Sequence, residues 1–261
     1  VGQNNKRSER QDSRKNMGKF SGKVAVVTGG NRGIGRAIVE RLAQEGATVV
    51  FSYNSNPKDA NEAVAAVEKA GGKAVAVQAN VAKLAEVQKL FEAADKVGPV
   101  NFLVNNAGVP SGGMLETITE EEFDRVINVN VKGVLFCTQE AVKRMQPGGR
   151  IVNITSSSHH FPSAGVSLYT MSKTAPRAFT ACWAKELGGR GITVNGVSPG
   201  ATVPGMFDHA PPAIKEMAEK GSPFGRLGRA DEMAGVVAFL CSEDASWISG
   251  EHILVNGAGI A

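Results

Sequence analysis

The stretch from Val24 to Arg36, Val-Ala-Val-Val-Thr-Gly-Gly-Asn-Arg-Gly-Ile-Gly-Arg, constrains the fold more than any other part of the chain. A β-branched run ends in a glycine-rich turn, and the turn opens a segment where Ala37, Val39 and Leu42 recur at helical spacing. Glycines at 29, 33 and 35 permit a tight turn, bring the backbone close to a pyrophosphate and let helix and strand pack together. Free N–H groups at the helix start then face the anion. Strand, glycine turn and helix in this order open a βαβ unit, which predicts a dinucleotide-binding loop.

The rest of the chain extends that unit. Strand candidates at Val24–Thr28, Thr48–Ser52, Ala74–Gln78, Phe102–Asn105, Arg150–Ile154, Thr193–Val197 and His252–Val255 alternate with segments of helical period at 34–45, 57–70, 83–96, 119–145, 168–187 and 230–241. In the second of these Ala60, Ala63, Val67 and Ala70 share a face. Seven strands predict an α/β single-domain Rossmann fold, a seven-stranded doubly wound parallel sheet with helices on both faces. Ser198–Arg229 contains five prolines and is the longest irregular region, with a short helix expected near 213–220. Its length predicts a substrate lid over about 201–229.

Composition removes other classes. The 261 residues carry no apolar run near the ~18–20 needed for a membrane span, so no membrane partner is expected. The net charge is +4, but residues 1–16 hold five cations against two anions and so contribute +3 of it. The basic balance belongs to that segment, expected as a disordered tail or extension ahead of a domain over 17–261, and no nucleic-acid partner is implied. The segment also lacks a secretory apolar stretch. Cys137, Cys182 and Cys241, in apolar surroundings with no CxxC pair, suit a reducing cytoplasm. His159 and His160 have no third ligand at suitable spacing, so no metal site is expected.

The second strand ends in Phe51-Ser52-Tyr53-Asn54-Ser55. An NAD site places a carboxylate here for the ribose 2′-hydroxyl; this chain has none, and Arg32 offers a forked guanidinium to a 2′-phosphate. NADP(H) is the expected cofactor.

Tyr169 and Lys173 stand four apart, on one helical face. A phenol near pKa ~10 is a weak acid at pH 7, and a neighbouring ammonium lowers that value. Upstream, Asn153-Ile154-Thr155-Ser156-Ser157-Ser158 delivers hydroxyls to the carboxyl edge of the sheet. With the 28–35 loop, Asn105-Asn106-Ala107-Gly108, Asn130 in Asn128-Val129-Asn130-Val131, and Ser198-Pro199-Gly200, these motifs agree in order and spacing over residues 20–257. The chain resembles the short-chain dehydrogenase/reductase family, and its pattern is most similar to the 3-oxoacyl-carrier-protein reductase group.

The resemblance implies that Tyr169 protonates a carbonyl oxygen during reduction, Ser156 hydrogen-bonds that oxygen, Lys173 tunes the tyrosine and binds the nicotinamide ribose, and Asn130 holds a relay water. It implies cofactor contacts at Gly29, Gly30, Asn31, Arg32, Gly33, Ile34 and Gly35 around the phosphates and at Ser52, Tyr53 and Asn54 near the 2′-phosphate. Asn80 and Val81 would meet the adenine, Asn106, Ala107 and Gly108 the adenosine side, and Pro199, Gly200 and Thr202 the nicotinamide. Asn80 stands where many members carry Asp, and Pro204 removes a common hydrogen bond. Pro176 predicts a bend in the helix after Lys173.

His159, Phe161, Met206 and Phe207 predict a largely apolar pocket for a small-molecule ketone, aldehyde or alcohol. An acyl thioester is the alternative. For that alternative Arg190 matches a basic carrier-protein contact, and Pro147 departs from another. A polyol or sterol dehydrogenase and a non-catalytic NADP-binding scaffold are further alternatives. The resemblance also implies a homotetramer, and Trp183 and Trp247 are expected in the core or at subunit contacts.

Overall fold

The computed structural model describes residues 18–259; the segment expected as a tail lies outside them. The elements run β1 (Val24–Val27), α1 (Gly33–Gln44), β2 (Thr48–Tyr53), α2 (Pro57–Lys69), β3 (Lys73–Gln78), α3 (Leu84–Asp95) and β4 (Val100–Asn105). They continue through α4 (Glu120–Ile127), α5 (Gly133–Arg144), β5 (Arg150–Ile154), α6 (Ser167–Leu187), β6 (Thr193–Pro199), β7 (Thr202–Val203), α7 (Pro212–Gly221), β8 (Gly228–Arg229), α8 (Ala230–Cys241) and β9 (His252–Val255). All seven predicted strands form one parallel sheet in the order β3-β2-β1-β4-β5-β6-β9.

Strand alternation divides the core. Val49 and Phe51 of β2 face a layer with Ile38, Val39 and Leu42 of α1, Ala60, Ala63 and Val67 of α2, and Val237 of α8. Val50 faces the other layer, with Leu90 and Phe91 of α3 and Ala141 of α5. Successive side chains of a strand point to opposite sides, so a strand buried on both faces is apolar throughout. Ala70 falls one residue past α2 and is exposed, outside the face assigned to it.

The chain winds outward from β1 through β2 to β3, then returns to β4 on the other side of β1. This reversal opens a crevice at the carboxyl ends of β1 and β4, where open α/β sheets bind ligands.

One predicted helix differs. The 119–145 helix is two helices joined by a five-residue π-helical segment, Asn128–Lys132. Periodicity alone does not separate such a segment from α-helix, and π segments concentrate at functional sites. The predicted 168–187 helix is α6, 21 residues with Pro176 inside it. In the 201–229 segment the expected short helix is α7, and β7 pairs with β8 as a clasp across the base, a pairing the sequence did not signal. Arg226 locks the clasp to Glu232 in the first turn of α8 at 2.6 Å. Strands of two residues are too short to leave a periodic signal.

Among the described residues no helix is long and apolar enough to cross a membrane.

Candidate active site

The glycine loop is held from three strands. The Thr28 hydroxyl accepts the N–H groups of Asn106 and Ala107, each at 3.0 Å. The Asn106 amide donates to the carbonyls of Thr28 and Gly29 at 3.0 and 2.9 Å. From β2, the Ser52 hydroxyl accepts the Gly29 N–H at 3.1 Å. α1 then begins with no side-chain cap and no acidic residue in its first turn, so its N–H groups face the crevice available to an anion. Arg32, just before α1, is exposed and its guanidinium has no hydrogen bond or ion pair among the described residues.

This bracing corrects several expectations. Ser52 is 1% exposed and its hydroxyl supports the loop from behind, so it is not free for the 2′-phosphate contact expected of it. The Asn106 side chain is likewise turned into the fold. The Asn80 side-chain oxygen accepts the Ala82 N–H at 2.9 Å, its backbone N–H donates to Glu86 and its carbonyl accepts from Lys83, and the Val81 side chain is buried against Gly133. The buried Thr202 hydroxyl donates to the Gly200 carbonyl at 2.9 Å, so it keeps acceptor capacity alone.

Ser156, Tyr169 and Lys173 come together where β5 ends against α6. The Ser156 hydroxyl accepts the Ser158 N–H at 3.1 Å and hydrogen-bonds the Tyr169 phenol. Lys173 is 5% exposed and donates from Nζ to the Ile154 carbonyl at 3.1 Å. Burial pushes its ammonium down to about 8. The sequence reading had the ammonium lowering the phenol; instead burial raises Tyr169 above its ordinary 10.0, and the Ser156 hydrogen bond is what pulls it back.

Asn130 belongs to the π segment and is 1% exposed. Its Oδ1 accepts the Val109 N–H at 2.8 Å, and its Nδ2 donates to the Val109 carbonyl at 3.0 Å and to the Ser172 hydroxyl at 2.9 Å. Both hydrogens of its side-chain amide and one lone pair of Oδ1 are thereby engaged. Sequence reasoning missed Ser172, and it missed a buried line in which Asn105 donates to Thr138 and to Asn153, and Asn153 to Thr180, each at 2.9 Å. The signal for the latter was a buried-strand asparagine at the end of β4 and another one residue before the end of β5.

The pocket residues separate. Phe161 and Phe207 are half-buried and Met206 is exposed. His159 instead packs its ring on His160 at 4.1 Å and on His252 of β9 at 6.3 Å. Both its nitrogens are sealed from solvent without a hydrogen-bond partner, so it contributes to sheet-edge packing, not to the pocket. Arg190 is no free surface cation: its guanidinium donates to the carbonyls of Val142 and Met145, which end α5. Cys182 is exposed, unlike the buried Cys137 and Cys241. Trp183 stacks on Phe179 at 4.6 Å, whereas Trp247 is 99% exposed and outside the core.

The family described as Enoyl-(Acyl carrier protein) reductase matches residues 29–259. An oxidoreductase of Methylorubrum extorquens is 45% identical over 246 residues, covering 92% of this chain and 99% of its own. A trihydroxynaphthalene reductase of Pestalotiopsis fici is 37% identical over 91% of this chain and 89% of its own. The crystal structure of the angucycline C-6 ketoreductase LanV with bound NADP superimposes with a TM-score of 0.89 at 39% identity, covering 93% of this chain and 97% of that one.

Proposed function

The chain belongs to the short-chain dehydrogenase/reductase family, and from that membership and the site geometry we propose that it is an NADPH-dependent reductase converting a ketone or aldehyde to an alcohol. The observation that carries this reading is the convergence of Ser156, Tyr169 and Lys173 at the carboxyl end of β5, joined through Asn106–Gly108 to the glycine loop.

The residues fit NADP(H). The uncapped start of α1 suits a pyrophosphate, the free Arg32 suits a 2′-phosphate, and the end of β2 offers no carboxylate to repel it. LanV, a relative, was solved with NADP. When bound, the reduced nicotinamide supplies the hydride.

The chain's own residues then handle the oxygen. Charge grows there as hydride reaches carbon, and donors already aimed at that position lower the barrier. Tyr169, protonated at neutral pH, gives its proton to the oxygen. The Ser156 hydroxyl donates to the phenolate left behind, and the buried Lys173 ammonium, anchored on the Ile154 carbonyl, is left for the nicotinamide ribose that the resemblance assigns to it. Gly108 matters here for room: a β-carbon on it would stand 2.9 Å from Lys173 Nζ.

An uncharged, apolar substrate suits the surroundings. The loop after β4 exposes Met114 and Leu115, the segment after β6 exposes Met206 and Met217, and the two leave the carboxyl ends of the strands on either side of β5. Internal use of Arg190 counts against a carrier-protein partner. The reading includes a homotetramer, consistent with Leu135 of α5 and Met171 of α6 standing exposed; sedimentation as a 27.3 kDa particle would remove it.

The test is NADPH oxidation, with NADH in parallel, on a panel of aryl ketones, aldehydes, a quinone, a 3-oxo ester and a 3-oxoacyl thioester. We expect free ketones to lead, and Tyr169→Phe to lower turnover about 10²–10⁴-fold with NADPH binding intact. Undiminished turnover in that variant would take Tyr169 out of the chemistry; NADPH binding without turnover on any carbonyl would favour a scaffold.

A further inference from the structure

We propose that Ser172 is a positioning residue for Tyr169 and Lys173, an inference that rests on the reductase reading above. α6 presents Tyr169 and Lys173 on one face, and Pro176 follows three residues after Lys173. Proline has no N–H, so the carbonyl of Ser172, four residues before it, loses its helical partner. The turn weakened in this way is the one that aims both side chains.

Ser172 is 0% exposed in that turn. Its hydroxyl donates to the Tyr169 carbonyl at 2.8 Å and accepts from Asn130 Nδ2 at 2.9 Å. One proton and its acceptor capacity are both in use. Asn130 in turn grips both backbone groups of Val109. The residue before Val109 is Gly108, where a β-carbon would stand 2.9 Å from Lys173 Nζ and 3.4 Å from Asn130 Oδ1.

A single hydroxyl thus ties α6 to the π segment and, through it, to the loop beneath the lysine. It restores from outside the helix the restraint that Pro176 removes from within. A serine hydroxyl bonded back to its own helix otherwise tends to bend the helix; here the amide of Asn130 opposes that bend. Ser172 touches no reacting atom and acts through the orientation of the turn, where a displacement of about 1 Å can lower a rate on the order of 10²-fold.

Tyr53 and Tyr169 are the two tyrosines of the chain, so a Tyr53→Phe protein lets phenolate absorbance report the Tyr169 midpoint without substrate. In that background Ser172→Ala is expected to lower the midpoint toward 10.0, as water enters the loosened turn. In the wild-type background it is expected to lower kcat roughly tenfold with KM for the carbonyl unchanged. Adding Pro176→Ala returns the missing N–H and is expected to recover at least half of both effects.

An unmoved midpoint with unchanged kcat in Ser172→Ala, or recovery of neither in the double variant, would overturn the proposal. Should the wild-type protein reduce no carbonyl, the reductase reading fails, and the absorbance titration still decides whether Ser172 positions Tyr169.

Discussion

Gly35 packs against Gly29 so closely that a β-carbon on Gly35 would stand 2.1 Å from the Gly29 carbonyl oxygen and 2.4 Å from Asn106 Nδ2. The contact joins the start of α1 to the end of β1 at the point where Asn106 also bonds Gly29. Both neighbours are fixed, so a methyl group must push the helix off the strand or break the bridge. Gly35→Ala is expected to weaken NADPH binding at least about tenfold and to lower Tm by several degrees, an overpacking effect of roughly 1–3 kcal/mol. Gly188→Ala, with nothing within 4 Å of the added carbon, is the control and should leave both unchanged. A titration of cofactor fluorescence with a thermal melt reads the two.

Arg32 is exposed and free of ion pairs among the described residues, and Ser52 is turned inward, so on the proposed function discrimination between cofactors is expected to rest largely on one guanidinium. Arg32→Ala is expected to raise KM for NADPH about 10- to 100-fold, the worth of a charge-assisted hydrogen bond, with KM for NADH nearly constant. Equal losses for the two cofactors would assign the 2′-phosphate to Tyr53 and Asn54.

Burial holds the Lys173 ammonium at about 8, against its ordinary 10.5. Reduction uses the charged form, so kcat is expected to be level near neutrality and to fall above pH about 8, approaching tenfold per unit. Stability runs the other way. Between about 8 and 10.5 the unfolded chain keeps a proton that the folded chain has released, so folding stability rises with pH across that window. Rate profiles paired with denaturation midpoints at pH 8, 9 and 10 test both signs; an alkaline limb centred above 10 would contradict the burial argument.

The ring of His252 lies on Gly196, whose own β-carbon would meet it at 2.1 Å, and both ring nitrogens are sealed without partners. Burial, with Arg177 and His159 nearby, pushes His252 down to about 4 from its ordinary 6.5. The unfolded chain therefore binds a proton below 6.5 that the folded chain refuses until about 4, and stability falls as the pH drops through that window. His159 is lowered for similar reasons and adds to the slope. Urea midpoints at pH 7.5, 6 and 5 should decline for the wild type, and His252→Asn should flatten most of the decline. A variant with the same slope would move the acid sensitivity to other groups.

Much of the architecture was legible because its signals are local. The glycine turn, the seven strands and the four-residue spacing of Tyr169 and Lys173 each occupy fewer than a dozen residues, and their periods of 2 and 3.6 register directly in residue order. The π segment at Asn128–Lys132 was not legible, because shifting a hydrogen bond from the fourth to the fifth residue leaves apolar spacing nearly unchanged. Nor was the β7–β8 clasp, whose two strands are two residues each and 26 positions apart.

The sequence by itself determined which chemical groups reach the carboxyl edge of the sheet, since strand order and helical phase follow from the pattern along the chain. Tertiary structure decided which of those groups remain free. Ser52 meets Gly29 across 23 positions, Asn130 meets Ser172 across 42, and Arg190 meets Val142 across 48. No local rule joins such pairs. The sign of the Tyr169 shift belongs to the same category: a phenol beside an ammonium reads as acidified in the sequence, but desolvation sums over every atom that excludes water, and that sum exists only once the chain has folded.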